Sequence, residues 1–155
     1  MTTANTGAQT PIDSRQAAAA SWAAAQSGLK EIRLEPVSGD ASFRRYFRFH
    51  DGRQSVILMD APPGKEDSAP FVDIAGRLRS AGLHAPAIMS FDLQLGFGLL
   101  EDFGDTLYRE LIDERTVDTI FPELFGLLDG MARRVDPQGL PNFSSEALSV
   151  ELDLF

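Results

Sequence analysis

At 155 residues, 43% of them hydrophobic, the chain is long enough to close one ordinary core and too apolar to be disordered throughout. A formal net charge of −9 repels polyanions at long range and argues against nucleic-acid binding; the absence of cysteine excludes thiol chemistry, cysteine-ligated metals and disulfides, and suits a reducing, cytoplasmic setting. The most apolar early run, residues 17–25, is far shorter than the roughly 20 residues that span a membrane, and no basic segment precedes it as a secretory signal requires.

Residues 1–11 carry little to bury and read as a mobile tail. Asp13 or Ser14 opens a helix that runs to about Gln26, and Gly28 suits the turn that ends it. The period then becomes two. "EIRLEP" sets Ile32 and Leu34 on one face; "SFRRYFRFH" sets Phe43, Arg45, Phe47 and Phe49 on one face and Arg44, Tyr46, Arg48 and His50 on the other. "DGR" at 51–53 is a hairpin signal, and "SVILMDA" makes a third strand that stops at Pro62 and Pro63. From Ser68, a capping residue, to Gly82, Phe71, Ile74, Ala75 and Leu78 form the stripe of a helix lying on a sheet. "APAIMSF" and "GFGLLED", joined by a turn around Gly96, are two further strands. Beyond them "TLYRELID" and a longer segment, with apolar residues from Val117 to Val135 at spacings of three and four, are helical; Pro122 must kink the second or sit in its first turn.

Ser144 or Ser145 opens a last helix whose stripe, Leu148, Leu152 and Phe155, is still running when the sequence ends. Each of Leu152 and Phe155 contributes roughly 1.5 to 3 kcal/mol if buried, yet little chain remains to bury them. The expectation is therefore the N-terminal part of a longer protein, whose exposed stripe also offers a surface for self-association.

"SGDASFRRYFRF", Ser38 to Phe49, fits three readings: a nucleic-acid patch, an amphipathic strand, or a loop and strand that hold a phosphate. The net charge weighs against the first, and the unadorned alternatives to the third are a polar hairpin turn followed by a solvated strand face. Three strands, a helix and two strands, followed by helices, resemble the N-lobe of the protein-kinase-like fold. The wording narrows this. "SGDASFRRYFRF", "ILMDAPPGKED", "PFVDIA", "GFGLLEDFGD" and "VELDLF", spread over Leu34 to Phe155, resemble the aminoglycoside phosphotransferase superfamily, and within it the bacterial anomeric kinases that phosphorylate N-acetylmuramate and N-acetylglucosamine in cell-wall recycling.

The resemblance implies an α+β chain: a tail and helix over 1–29, a kinase-like N-lobe with hinge over 30–104, built of a five-stranded antiparallel sheet with one packed helix, and the first helices of a truncated C-lobe over 105–155. It implies a nucleotide site. Ser38, Gly39, Asp40 and Ser42 form a loop over the phosphates, where small residues let backbone amides approach and hydroxyls add bonds. Arg44 or Arg48 reaches a phosphate, since guanidinium binds one bidentately. In many kinases the third strand ends in a lysine that pairs with phosphates and a helix glutamate. Here the aligned residue is Met59, with Ile57 on the same face to cover an adenine ring, so the cation is an arginine of the second strand, Lys65, or a residue outside the chain. Asp73 is either the helix partner of such a cation or an ordinary exposed carboxylate. Backbone near Glu101 and Phe103 serves as the hinge, and Gly104 frees the chain to turn.

Neither His50 nor His84 begins an HxDxxxxN pattern, so no catalytic residue and no metal ligand is assigned; the catalytic Asp and the metal-binding Asp are expected beyond Phe155. The reading is thus an ATP- and Mg2+-dependent phosphotransferase with a sugar acceptor, inactive as this chain alone. A free-standing nucleotide- or partner-binding module is the rival reading, and aminoglycosides, choline or other hydroxyl compounds are the rival acceptors.

Overall fold

A computed structural model describes residues 14–37, 42–142 and 144–152. Within them lie five strands, β1 Glu35–Val37, β2 Arg45–His50, β3 Ser55–Asp60, β4 Ile88–Asp92 and β5 Phe97–Glu101, and five helices, α1 Ser14–Ser27, α2 Ala69–Ser80, α3 Tyr108–Leu111, α4 Val117–Arg134 and α5 Ser145–Leu152. The strands form one antiparallel sheet in the order β1-β2-β3-β5-β4. This is the expected α+β architecture of a kinase-like N-lobe followed by helices.

β3 lies at the centre, and two consecutive residues on it, Leu58 and Met59, are both 0% exposed. Because neighbours along a strand point to opposite faces, both faces of the sheet must be covered there. On one face Phe47, Phe49, Val56, Leu58, Phe97 and Leu99 pack with Ala19 and Ala23 of α1, and with Trp22, Leu29, Ile32 and Leu34 at the margin. On the other, Met59, Ala61 and Leu100 pack with Tyr46, Ile57, Ile88 and Phe91 and with Phe71 of α2. α1, set with the tail in the sequence reading, is thus a structural cover of the sheet; its alanines let the helix backbone come close. Full burial of a side chain such as Leu58 stabilises by about 1.5–3 kcal/mol.

The alternation read from "RRYFRFH" matches the observed register, which pairs Arg45 with Asp60, Phe47 with Leu58 and Arg48 with Ile57. Asp51 shapes the β2–β3 turn by accepting from the amides of Arg53 and Gln54, each at 2.8 Å. In the β4–β5 turn Gly96 has φ +71, and a Cβ there would stand 1.9 Å from the Ala61 carbonyl oxygen, which the Gly96 position must approach closely. α1 and α2 both end in the expected way: the amides of Leu29 and Leu83 reach back to the carbonyls of Ala24 and Leu78.

Three local expectations need correction. Strand β1 begins only at Glu35, where the ladder opposite Arg48 starts, so Ile32 and Leu34 pack without belonging to a strand. Strand β2 begins at Arg45, leaving Phe43 exposed ahead of it. Ser68 makes no side-chain cap bond; Asp67 accepts from the Ala69 amide at 3.0 Å instead, while the Ser68 hydroxyl is buried without a hydrogen-bond partner. Of the two places read for Pro122, the helix interior is the one observed, and there it denies the Asp118 carbonyl the N–H that an ordinary residue would offer. Leu148 and Leu152 are exposed on α5, as read; Phe155, the third member of that stripe, is outside the described residues, as is the tail.

A charge closes one end of the sheet. Asp60, 0% exposed, accepts from Arg15 Nε at 2.7 Å and from Arg45 Nε at 2.9 Å, and Arg15 also donates to the Leu95 carbonyl at 2.8 Å. One carboxylate therefore ties α1, β2 and the β4–β5 turn to β3. Asp60→Asn keeps the shape but leaves two arginines without their counter-charge; because each arginine is about a third exposed and can turn to water, the expected loss is about 2–3 kcal/mol, below the usual cost of breaking a fully buried pair. A lowered urea midpoint with an unchanged m-value checks this; an unshifted midpoint refutes it.

Candidate nucleotide-binding site

The sheet face that carries α2 leaves a cleft of about 210 Å³ beside β1 and β2, lined by Val37, Tyr46, Arg48, Ile57, Phe103 and Gly104 together with the acidic pair Glu101 and Asp102. Register explains the grouping: Val37 lies opposite Tyr46, and Arg48 opposite Ile57, so all four share a face. The far wall is the segment leaving β5, with Gly104 at φ +75 turning the chain.

The structure brings Ile57, Arg48, Glu101 and Phe103 of the expected site together around this cleft. Met59 is fully buried in the cluster that holds Phe71 and packs beside the cleft without lining it. Ser38, Gly39 and Asp40 lie outside the described residues, and Ser42 accepts from the Arg44 amide at 3.2 Å. Arg44 stands over the Phe71 ring, 5.7 Å from its centroid, with Nε 3.3 Å from Glu66; that nitrogen is buried and has no hydrogen bond. Lys65 sits 5.3 Å from the Phe43 ring centroid. Asp73 pairs with Arg77 one helical turn on, at 2.8 Å, the ordinary helix-surface arrangement.

Arg48 has the most developed surroundings. It donates from Nε and Nη2 to Asp102, at 2.6 and 3.0 Å, and from Nη1 and Nη2 to Asp105, both at 2.9 Å. Asp102 also accepts from the Ser55 hydroxyl and, at 2.9 Å, from the Gly104 amide. These bonds, Arg48's foremost, outweigh burial and hold the Asp102 carboxyl well below the usual carboxylate range; Arg48 lowers Asp105 as well. On the other side of the strand end, Glu101 accepts from the Ala87 amide at 3.0 Å and lies 3.2 Å from His84 Nε2; these two contacts, the amide first, lower its carboxyl. The His84 ring lies 4.7 Å from that of Phe103. Sequence reasoning took "EDFGD" for its backbone and missed Asp102, Asp105, Ser55 and His84. The available signal was the Asp-x-x-Asp spacing opposite an arginine on the cleft face, but the partners are 54 and 57 residues apart.

A depressed carboxylate gives stability that is complete above its ordinary value of 3.8 and is lost as pH falls below it, toward the folded-state value. Asp102→Asn abolishes this contribution. The stability gap between the native protein and the variant should accordingly be full near pH 7 and narrower near pH 3, as read from urea midpoints at both; a gap that stays constant or widens in acid contradicts the assignment.

A model of the phosphotransferase enzyme family matches residues 33–154. A protein of Pseudomonas aeruginosa named N-acetylmuramate/N-acetylglucosamine kinase is 45% identical over 124 residues, which take in 79% of this chain and 36% of that one. A namesake in Pseudomonas putida is 39% identical over 122 residues, with the same shares, and another in Neisseria meningitidis serogroup B is 31% identical over 149 residues, covering 91% of this chain and 43% of its own. The chain thus spans well under half the length of these curated relatives. With that family model matching residues 33–154, well over half of its length, the chain belongs to the phosphotransferase enzyme family.

Proposed function

We propose that this chain is the nucleotide lobe, over 30–104, and the first helices of the acceptor lobe, over 105–155, of a cytoplasmic kinase that transfers the γ-phosphoryl group of ATP to the anomeric hydroxyl of N-acetylmuramate or N-acetylglucosamine, as in peptidoglycan recycling. The observation that carries the reading is the cleft itself: Val37 and Ile57 offer an apolar face beside an extended, turning backbone at Phe103 and Gly104, which fits a flat ring with a hydrogen-bonding edge. The relatives' names support the choice of acceptor.

ATP, when bound, supplies the phosphoryl group and its leaving group. The residues of this chain bind and orient: Val37, Ile57 and the hinge backbone hold the ring, and Ser38, Gly39, Asp40, Ser42 and Arg44 are assigned to the phosphates. The buried, unbonded Nε of Arg44 is the observation that favours it as the phosphate partner. Met59 cannot act as a cation, and its burial assigns it to packing. For magnesium, no group of three or more His, Asp or Glu side chains among the described residues converges to hold an ion. Its ligands and the base that accepts the hydroxyl proton are therefore proposed to lie in the portion of the relatives' length that this chain does not span. No helix among the described residues is long and apolar enough to cross a membrane.

The test is the full-length protein with ATP against a panel of N-acetylmuramate, N-acetylglucosamine, an aminoglycoside and choline, with the phosphorylated position read by NMR. An acid-labile anomeric phosphate on the amino sugars is expected; phosphorylation of another acceptor replaces the substrate assignment, and turnover of none refutes the kinase reading. Arg44→Ala should weaken ATP binding about tenfold or more, the scale of a charge-assisted phosphate contact, while leaving adenosine binding unchanged.

A further inference from the structure

We propose that Arg48 is a positioning residue that fixes the hinge of the adenine site, and is not a phosphate ligand; this rests on the nucleotide-lobe reading above. A guanidinium has two edges that can bind an oxyanion bidentately. Both are used: the Nε/Nη2 edge faces Asp102 and the Nη1/Nη2 edge faces Asp105. One cation against two carboxylates leaves the cluster net negative, a poor place for a phosphate. Nor can Arg48 easily turn away. The Asp102 side chain is 6% exposed, so losing its cation strands a buried charge.

What the arrangement does hold is backbone. Asp102 precedes Gly104 and Asp105 follows it, so one side chain, rooted in the middle of the sheet between β1 and β3, grips the chain on both sides of its pivot. Asp102 also takes the Gly104 amide, and the Ser55 hydroxyl locks the carboxylate from β3. The Phe103 peptide groups, which an adenine edge would read, lie between the two gripped residues. Their direction is set before the nucleotide arrives, which reduces the ordering that binding requires.

Adenosine, ADP and ATP are titrated into the full-length protein and its Arg48→Ala, Arg48→Lys and Asp105→Asn variants, with hydrogen exchange recorded without nucleotide. Arg48→Ala should weaken all three ligands by one common factor of about ten, because the change acts on the ring site they share. Arg48→Lys should not rescue it, since an ammonium cannot span both carboxylates. Asp105→Asn, at a side chain 75% exposed that folding does not depend on, should weaken all three in the same direction and carries the test if the Arg48 variants fail to fold. Exchange at Phe103 and Gly104 should quicken in the variants while β3 amides stay protected, a local effect that general destabilisation does not produce. Losses that grow from adenosine to ATP, tighter ATP binding by Asp105→Asn, rescue by lysine, or unchanged affinities each overturn the inference. Failure of the native protein to bind any of the three ligands instead removes the nucleotide-lobe reading, and this inference with it.

Discussion

The two consecutive buried residues of β3, Leu58 and Met59, set the constraint from which the rest of the fold follows. A strand buried on both faces in an antiparallel sheet needs two covers, and this sheet has them in α1 and α2. The covers differ in kind. α1 is alanine-rich and lies close, contributing contact through Ala19, Ala23 and the Trp22 ring, which is 5.8 Å from Phe97. α2 brings Phe71 and leaves room beside it, so that the same face that is core around Met59 becomes a cleft around Val37 and Ile57. Packing and site are two ends of one surface.

Charge pairs then fix what packing leaves free. Asp60 gathers Arg15 and Arg45 at one end of β3, and Asp102 with Asp105 gathers Arg48 near the other. At a third place Arg77 of α2 donates to the carbonyls of Asp136 and Gln138, at 2.7 and 2.8 Å, and joins the lobe to the chain that follows α4. Each pair links segments distant in sequence, and those around Asp60 and Asp102 put a carboxylate where water scarcely reaches. Such pairs add little net stability over apolar residues of the same shape, but they are costly to break singly, so they specify one arrangement among several that a hydrophobic core alone would tolerate.

The strands, the one packed helix α2 and the faces of β2 were legible in the sequence because each rests on a local signal: alternation in "RRYFRFH", the three-four spacing of Phe71, Ile74, Ala75 and Leu78, turn residues at Asp51, Gly52 and Gly96; α1 was legible as a helix but not as a cover. What was not legible is long-range. Nothing near Ser14–Ser27 says that its alanines meet β3 and β5, and nothing in "RFH" names Asp102 as the partner of Arg48. The sequence placed Ile57, Arg48, Glu101 and Phe103 on neighbouring strand ends, and these do line one cleft. The roles of the site's ionic side chains were not legible, because an arginine beside aromatics reads the same whether its partner is a phosphate or a carboxylate from across the sheet.

That ambiguity bears on how an acidic chain would hold the polyanion of the proposed function. Of the three arginines in "FRRYFRF", the structure gives Arg45 to Asp60 and Arg48 to Asp102 and Asp105. Neither brings unspent charge to the cleft. Arg44 does not line that cleft but faces a separate depression against α2; Glu66 is placed for attraction but not for a hydrogen bond through Nε, and the Arg44 guanidinium rests on the Phe71 ring. A group desolvated without a hydrogen bond pays a penalty that an incoming oxyanion would relieve, so binding there gains more than at an arginine already satisfied. With Met59 buried in the packing of β3, that strand offers no cation at the position, so on the proposed reading Arg44 stands alone among the arginines of β2 and its approach as a candidate phosphate partner.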